Sequence, residues 1–248
     1  MAYILEDTAP VRLSPFELDP SLPRKANIII AGGGGFFLEI ESFLRDMARS
    51  AKAAGETFEW TIGGVLEKGP HRNDSAVGDW PALGSEDEYE PQDDDYFIVA
   101  LGEPKIRRKI AQKLAKKNAR FFNVIHPTAF IAETATIGSG VIIAPACYIA
   151  ARVTLEDHVV LHATSQVGHD SRLGAYSVLC PYSALSGFCD VGDTCFLGTG
   201  AVMAPNTNLG RFSKIAGGAF QVQKSIEGGS IVFGNPSEHR RQFKIPTD

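Results

Sequence analysis

The second half of the chain repeats one hydrophobic position with a period of six residues. From Ile125 through Ile215, a leucine, isoleucine, valine or methionine stands at every sixth position in sixteen consecutive hexads. The position four residues further along holds only Ala, Val, Cys, Ser or Thr. A period of six fits neither an α-helix nor the two-residue alternation of a flat sheet. It predicts a left-handed parallel β-helix (hexapeptide repeat), in which each side of a three-sided coil turns one aliphatic and one small residue inward.

The hexads from Ile125 to Phe220 predict about 5.3 coils, each rising about 4.8 Å. Residues three hexads apart then lie directly above one another. Three of the four cysteines, Cys147, Cys189 and Cys195, fall in the small inward position. We expect them to be compact interior residues, with no disulfide or catalytic role.

The first half of the chain alternates strands with amphipathic helices. An aliphatic strand at 27–30 runs into a glycine loop at 31–35, and a helix follows. Two further strands, separated by an acidic loop, then precede a basic second helix. This order predicts an α/β Rossmann-like domain with a small parallel sheet. A glycine loop between strand and helix offers backbone N–H groups to a phosphate. The dinucleotide fingerprint requires its third glycine where this chain has Phe37, which argues against NAD.

Four segments follow from these patterns. We expect an extended N-terminal arm over 1–25, the Rossmann-like domain over 26–124, the β-helix over 125–237 and a C-terminal tail over 238–248. The prolines of the arm leave it without a helical or strand period.

Charge and composition narrow the class of protein. The chain carries 24 Lys and Arg against 29 Asp and Glu, a formal net charge of −5, so it has no cationic excess to hold nucleic acid or an anionic membrane. Its apolar stretches fall far short of the roughly 20 residues that cross a bilayer. The start of the chain lacks a basic segment followed by an apolar one, and we expect a cytoplasmic protein.

Two histidines share one hexad position two coils apart, and three others are expected at the solvated surface. The interval between His126 and His162 matches the first two zinc ligands of the γ-class carbonic anhydrases, which use the same β-helix. Their third ligand would fall on Val167, so the tetrahedral set is incomplete and we predict no metal. The three surface histidines are His71, His158 and His239.

The remaining histidine, His169, is the candidate general base. It stands in the turn VGHDS beside Asp170, which can orient an imidazole and stabilise its charged form. Gly187 lies one coil above His169, where its N–H could meet a carbonyl oxygen in the transition state. Thr199 and Gly217 are also one coil apart, on a different edge, and the Gly217-Gly218 pair leaves room for a thin ligand chain.

The unbroken hexads, the segments VIHPTAFIAETATIG and VGHDSRLG, and the ending VFGNPSEHRR resemble the hexapeptide-repeat acyltransferases. Within that family they resemble the sialic-acid O-acetyltransferase and bacillosamine/perosamine N-acetyltransferase group, over about residues 26–241. The resemblance implies acetyl-CoA as co-substrate and a nucleotide-linked sugar as acceptor, in a pathway that builds surface glycans. It implies these roles by position: His169 and Asp170 as base and acidic neighbour, Gly187 as the thioester contact, and Thr199 and Gly217 as coenzyme contacts.

The resemblance also implies an acceptor site on the N-terminal domain. The expected acceptor-binding residues are Gly34, Gly35, Glu67, Gly102 and His162. The sequence departs from the family's pattern at several of these places: Phe36 and Phe37 stand where the family has His and Gly, Glu67-Lys68 replaces an acidic pair, His162 replaces Asn, and Val178 replaces a second His.

We therefore expect an acetyl-CoA-dependent N-acetyltransferase acting on a nucleotide-linked amino sugar. Two alternatives stay open: O-acetylation of a sugar hydroxyl by the same machinery, and a non-catalytic β-helix scaffold whose N-terminal domain binds a partner. The resemblance implies a homotrimer with active sites between adjacent prisms. We expect its interface to use outward apolar residues: Val160, Val178, Leu179, Phe196 and Phe212.

Overall fold

The computed structural model describes residues 14–68 and 80–245, and it contains a four-stranded α/β sheet followed by a three-sided β-helix. Both predicted parts of the fold are confirmed. His71 and residues 1–13 of the predicted arm lie outside the described residues. None of the helices within the described ranges is both long and apolar enough to cross a membrane.

The N-terminal sheet is parallel throughout, in the order β2-β1-β3-β4. From β1 the chain connects to β2 on one side of the sheet and then to β3 on the other side of β1. A crevice therefore opens where β1 and β3 end, which is the usual ligand position in such sheets. The buried faces of the helices α2 and α3 cover the sheet. The elements are α1 (Pro15–Leu18), β1 (Lys25–Ala31), α2 (Gly35–Ala53), β2 (Glu59–Leu66), β3 (Asp95–Val99), α3 (Pro104–Ala115) and β4 (Arg120–Phe121).

The described part of the predicted arm is not wholly extended, because it contains α1. Ser14 caps this single turn and forms a reciprocal capping box with Glu17, while Pro15 occupies the first helical position. The ring of Phe16 packs 5.3 Å from that of Trp60 on β2. The sequence contains the Ser-Pro-x-Glu signature of a capped helical turn, but the prolines around it leave the arm without a regular period, so the turn was not predicted.

The β-helix is built from two-residue strands stacked in three parallel sheets, which we call sides one, two and three. Side one contains β5 (Val124–Ile125), β8 (Ile142–Ile143), β11 (Val160–Leu161), β14 (Val178–Leu179), β17 (Phe196–Leu197), β20 (Lys214–Ile215), β23 (Ser230–Phe233) and the antiparallel β24 (Glu238–Arg241). Side two contains β6 (Phe130–Ile131), β9 (Tyr148–Ile149), β12 (Gln166–Val167), β15 (Ala184–Leu185), β18 (Val202–Met203) and β21 (Phe220–Gln221). Side three contains β7 (Thr136–Ile137), β10 (Thr154–Leu155), β13 (Arg172–Leu173), β16 (Asp190–Val191), β19 (Asn208–Leu209) and β22 (Ser225–Ile226).

The interior of the prism follows the hexad rule. Every aliphatic hexad residue is buried except Ile131 and Ile137, which are half-buried near the foot. Cys147, Cys189 and Cys195 are buried free thiols, as predicted. Each fully buried aliphatic side chain contributes about 1.5–3 kcal/mol relative to exposure.

The three edges of the prism turn through left-handed backbone at every sixth residue, from Gly140 to Gly218. We call the edge between sides one and two the first edge; it carries His162, Thr199 and Gly217. The edge between sides two and three, with His169 and Gly187, is the second. The edge between sides three and one, with His158 and Tyr176, is the third.

The N-terminal domain packs on the third edge, on side one and on the lower part of the first edge. Arg107 of α3 is completely buried and donates hydrogen bonds to the carbonyls of Val99, His158 (2.7 Å) and Gly140 (3.0 Å). Lys214 on β20 pairs with Glu103 at 3.0 Å. Burial lowers the pKa of Arg107 to about 9.

This packing corrects two sequence predictions. His158 is 5% exposed and not on the solvated surface, since its ring lies edge-on to Phe121 and stacks on Tyr176. The apolar residues expected at a subunit interface belong to the chain's own core: Val160, Val178, Leu179 and Phe212 are buried, and Phe196 is half-buried. His239 on β24 is exposed, as predicted.

Candidate active site

The second edge holds a chain of three polar side chains. His169 Nδ1 lies 2.7 Å from Asp170 Oδ2, and Arg152 donates to both oxygens of the same carboxylate at 2.6 and 2.7 Å. An ionised carboxylate only accepts hydrogen bonds, so this contact places the imidazole proton on Nδ1 and leaves Nε2 as the acceptor. Arg152, followed by His169, lowers the pKa of Asp170 to about 2. Asp170 is therefore an orienting anion rather than a base near neutral pH.

Gly187 stands one coil above His169 and allows the imidazole to lie against the backbone. A Cβ at position 187 would come within 2.8 Å of His169 Nε2 and Cε1. Phe188 closes one flank of the ring edge-on, with centroids 5.1 Å apart. The His169 side chain remains 54% exposed, so its acceptor nitrogen is accessible to a substrate.

The upper part of the first edge is bare. Gly200 and Gly218 occupy its left-handed corner, and a Cβ at either would meet no atom within 4 Å. Lower coils place Ala146, Thr164 and Tyr182 in the same corner with φ of 56–63°. The turn itself therefore does not require glycine. An open, side-chain-free edge beside Thr199 and Gly217 can accommodate a thin, extended ligand.

A cavity of about 540 Å³ lies where β1, β2 and β3 end. Gly34 and Gly35 of the glycine loop, Glu67 after β2 and Gly102 after β3, the residues expected to bind the acceptor, all line it. Its other lining residues include two charged side chains, Lys68 and Glu86, and an apolar wall of Leu66, Leu101, Ile106 and Ile110. The sequence had given no reason to single out Glu86, which a loop brings from outside the sheet.

Four glycines of this cavity divide into two kinds. Gly32 has a structural reason, since its φ is +113° and a Cβ would lie 2.8 Å from the carbonyl oxygen of Ala100. A Cβ at Gly34, Gly35 or Gly102 would meet nothing within 4 Å, and none of these three has a positive φ. Their missing side chains keep open the space in which a phosphate could approach the start of α2.

The first edge also carries His162 and His126, and α2 covers both. The rings of His162 and Phe36 lie 4.8 Å apart, and His162 Nδ1 is 4.0 Å from Glu39 Oε2. Burial lowers the pKa of His162. His126 Nε2 lies 3.2 Å from Asp46 Oδ2. The two histidines thus help to pack α2 against the prism. Within the described ranges, no group of three His, Cys, Asp or Glu residues is placed so that it could hold a metal ion.

The predicted residues therefore form three groups within one chain. The cavity is lined by Gly34, Gly35, Glu67 and Gly102. His162 does not line the cavity, but it contacts Phe36, which does. Two of the positions where the sequence departs from the resembling family, 36 and 162, are thus in mutual contact. His169 and Gly187 share the second edge, which side two separates from Thr199 and Gly217 on the first. The sequence analysis did not identify Arg152 as part of the site, although its spacing of eighteen residues places it one coil below Asp170.

Comparisons with known proteins agree with this architecture. A family model described as the PglD N-terminal domain matches residues 27–114. The chain is 30% identical to a GDP-perosamine N-acetyltransferase of Escherichia coli O157:H7 over 117 residues, which cover 46% of this chain and 53% of that protein. It thus spans about half the length of this curated relative.

Two solved structures share the fold across nearly the whole chain. PerB from Caulobacter crescentus, in complex with CoA and GDP-perosamine, matches with a TM-score of 0.71 and 27% identity, over 87% of this chain and 97% of that one. The acetyltransferase domain of PglB from Neisseria gonorrhoeae FA1090 matches with a TM-score of 0.73 and 25% identity, over 86% and 98% of the two chains. The resemblance to nucleotide-sugar acetyltransferases with a β-helix is confirmed.

Proposed function

We propose that this chain is an acetyl-CoA-dependent N-acetyltransferase that acts in the cytoplasm on the amino group of a nucleotide-linked sugar. The observation that carries the proposal is the second edge, where an oriented imidazole with an accessible Nε2 lies against the Gly187 backbone. Relatives named as acetyltransferases, and matching structures that contain CoA, support the acyltransferase class and the co-substrate.

The chemistry follows from the geometry of His169. The neutral amine of the acceptor attacks the thioester carbonyl carbon, and His169 Nε2 removes the amine proton as the C–N bond forms. The negative charge that develops on the carbonyl oxygen is stabilised by the Gly187 N–H. The C–S bond then breaks, and the thiolate of CoA receives the proton from the imidazolium. Asp170 holds the ring through Nδ1 and stabilises its charged form.

The two substrates have separate sites on the chain. We assign the nucleotide of the acceptor to the cavity in the domain spanning 26–124, with its phosphates at Gly34 and Gly35. We assign the pantetheine arm of acetyl-CoA to the bare first edge of the β-helix, over 125–237. Lys68 supplies a positive charge in a cavity that otherwise carries Glu67 and Glu86.

The separation of the two edges leads us to propose a homotrimer. The second edge of one subunit would then complete a site with the first edge of its neighbour. Side two is the side suited to this contact: Phe130 and Tyr148 stack on it with ring centroids 5.1 Å apart while 55% and 47% exposed. Side one is covered by the chain's own domain, and the outward residues of side three are polar: Thr136, Thr154, Arg172, Asp190, Asn208 and Ser225.

The test is an acetyl-transfer assay with purified protein, acetyl-CoA and a panel of GDP-, UDP- and dTDP-linked amino sugars. GDP-linked sugars come first because one relative is named for GDP-perosamine and a matching structure contains it. We expect release of CoA thiol with one nucleotide series, and mass spectrometry of the product should locate the acetyl group on nitrogen. Each amino sugar is paired with its hydroxyl counterpart, since transfer to the hydroxyl sugar would establish the O-acetyltransferase alternative instead.

A non-catalytic scaffold makes a different prediction in the same experiment. It would bind a nucleotide sugar or CoA, raising the melting temperature by mass action, without releasing thiol. The absence of turnover with every acceptor, together with retained binding, would replace the catalytic proposal with this one.

A further inference from the structure

Arg152 and Asp170 occupy the same left-handed corner in successive coils of the second edge, with φ of 57° and 59°. The guanidinium forms two hydrogen bonds with one carboxylate, Nε to Oδ1 at 2.6 Å and Nη2 to Oδ2 at 2.7 Å. Oδ2 also accepts the hydrogen bond that His169 Nδ1–H donates, at 2.7 Å. Both partners of Asp170 therefore fix the rotation of the same carboxylate.

We propose that Arg152 is a positioning residue for the His169 base, acting through Asp170. It holds the carboxylate in the plane that receives Nδ1–H and offsets part of the carboxylate charge, so that the imidazole stays neutral until a substrate proton arrives. The inference rests on the proposed role of His169 and extends it to a residue two side chains away from the reacting atoms.

Backbone requirements do not account for an arginine at this corner. The same left-handed corner of higher coils holds Phe188 and Asn206, so the position accepts side chains of very different character. Stability does not account for it either, because the Arg152 side chain is 65% exposed and exposed ion pairs contribute little to folding. A two-pronged pair aimed at the carboxylate of the candidate base is better explained by geometry and charge at that base.

The charges that act on His169 are few within the described residues. The imidazole meets Asp170 on the Nδ1 side and, through it, Arg152. Its other contacts are the ring of Phe188 and the backbone of Gly187, neither of which titrates. A carboxylate alone favours the charged imidazolium and raises the histidine pKa, whereas a nearby guanidinium opposes that effect. Removal of Arg152 should therefore make His169 more basic.

The first test measures the His169 pKa by NMR titration of its ring in the free full-length protein, which requires no turnover. We expect Arg152→Met to raise that pKa by about 0.5–1 unit and Asp170→Asn to lower it. Arg45→Met is the matched control, because Arg45 makes a comparable exposed ion pair with Glu41 at 2.7 Å on α2, outside the second edge. An unchanged His169 titration in Arg152→Met, in a protein with unchanged melting temperature, would overturn the proposal.

The second test separates charge from orientation through kinetics. Arg152→Lys retains the charge but not the two-pronged geometry, so we expect the acid limb of the kcat/KM profile near its original position, with kcat about 3–10-fold lower. Arg152→Met should shift that limb upward and lower kcat, with KM for acetyl-CoA unchanged.

In an Asp170→Asn background, Arg152→Met should have no further effect on kcat, since it acts only through that carboxylate. Independent, multiplying losses would contradict the relay. If the wild type transfers no acetyl group at all, the proposed function fails, and the NMR titration still decides whether Arg152 controls His169.

Discussion

A Cβ added at Gly187 would come within 2.8 Å of His169 Nε2. The acceptor nitrogen of the imidazole thus occupies the space that a side chain at position 187 would need, and only glycine leaves room for it. In the proposed mechanism Gly187 has two roles, because it leaves room for the ring and offers its backbone N–H to the thioester oxygen.

Gly187→Ala should displace the imidazole without disturbing the coil. Position 187 has no positive φ, so alanine is compatible with its backbone. Because a displacement of about 1 Å can cost on the order of 10²-fold in rate, we expect kcat to fall about 10–100-fold, with the melting temperature nearly unchanged. Steady-state kinetics and thermal unfolding check both parts, and a variant with full kcat would show that this glycine is not part of the site.

His169→Ala should lose about 10²–10⁴-fold in kcat, the usual contribution of a general base. Acetyl-CoA affinity, measured by calorimetry, should be unchanged because the first edge is intact. Asp170→Asn should cost less, since the base itself remains. His239→Ala is the control, as His239 is exposed on β24 away from both edges. A loss in Asp170→Asn equal to that in His169→Ala would assign the base to the carboxylate.

Gly35→Ala should make the fold slightly more stable and acceptor binding weaker. Gly35 is the first residue of α2, where alanine is the better helix former by up to about 1 kcal/mol, so we expect the melting temperature to rise by about 1–2 °C. The new methyl group would occupy the phosphate space, and nucleotide-sugar affinity should fall at least about 10-fold.

The matched control for Gly35→Ala is Gly32→Ala. It should lower the melting temperature instead, because its φ of +113° and the nearby Ala100 carbonyl oxygen both exclude a side chain. Unaltered nucleotide-sugar affinity in Gly35→Ala would mean that the glycine loop does not hold the acceptor.

Mixed trimers should recover activity from two inactive variants. Gly218→Tyr should fold, since Tyr182 occupies the same corner two coils lower, but it should block the first edge. His169→Ala disables the second edge. A random equal mixture should regain about a quarter of the wild-type activity, because one in four interfaces pairs two intact edges. Co-purified mixed trimers without any activity would indicate that each site is formed within one chain.

His158 should make the protein lose stability as the solution becomes acidic. Burial, with a smaller contribution from Arg107, lowers the pKa of His158 to about 3, whereas the unfolded chain has an ordinary histidine pKa near 6.5. Between these values the unfolded state binds a proton that the folded state excludes. As the pH is lowered below about 6.5, the free energy of unfolding should therefore decrease by up to about 1.4 kcal/mol per pH unit.

His158→Phe keeps the ring against Tyr176 and Phe121 and should flatten that slope. Urea unfolding between about pH 7 and pH 5 measures it, with His239→Phe as the exposed control. Equal slopes in wild type and His158→Phe would rule out this histidine as the source.

The hexads were sufficient to predict the coils, the buried cysteines and the vertical neighbours of His169, because residues three hexads apart must stack. They could not show which side of the prism the N-terminal domain covers. Val160 and Val178 were predicted to form an interface between subunits. Arg107 belongs to a helix that the sequence marks only as basic, because two of its three backbone carbonyl partners lie far away in the sequence.

The site was predictable to the same extent. Gly34, Gly35, Glu67 and Gly102 meet because parallel strands end at one edge of the sheet, a rule that needs only the strand order. The contact of Phe36 with His162 and the burial of His158 depend on how two independently recognisable units dock. No period within either unit carries that information.

The stacking of identical coils also restricts how this protein can change in length. An insertion of eighteen residues would return every later residue to its own side and edge, one step of about 4.8 Å higher. An insertion of six would preserve the inward pattern but rotate everything above it by a third of a turn, which would carry Thr199 and Gly217 onto the second edge. Viable length variants of this β-helix should therefore differ by whole coils, so that the spacing along its axis changes in discrete steps.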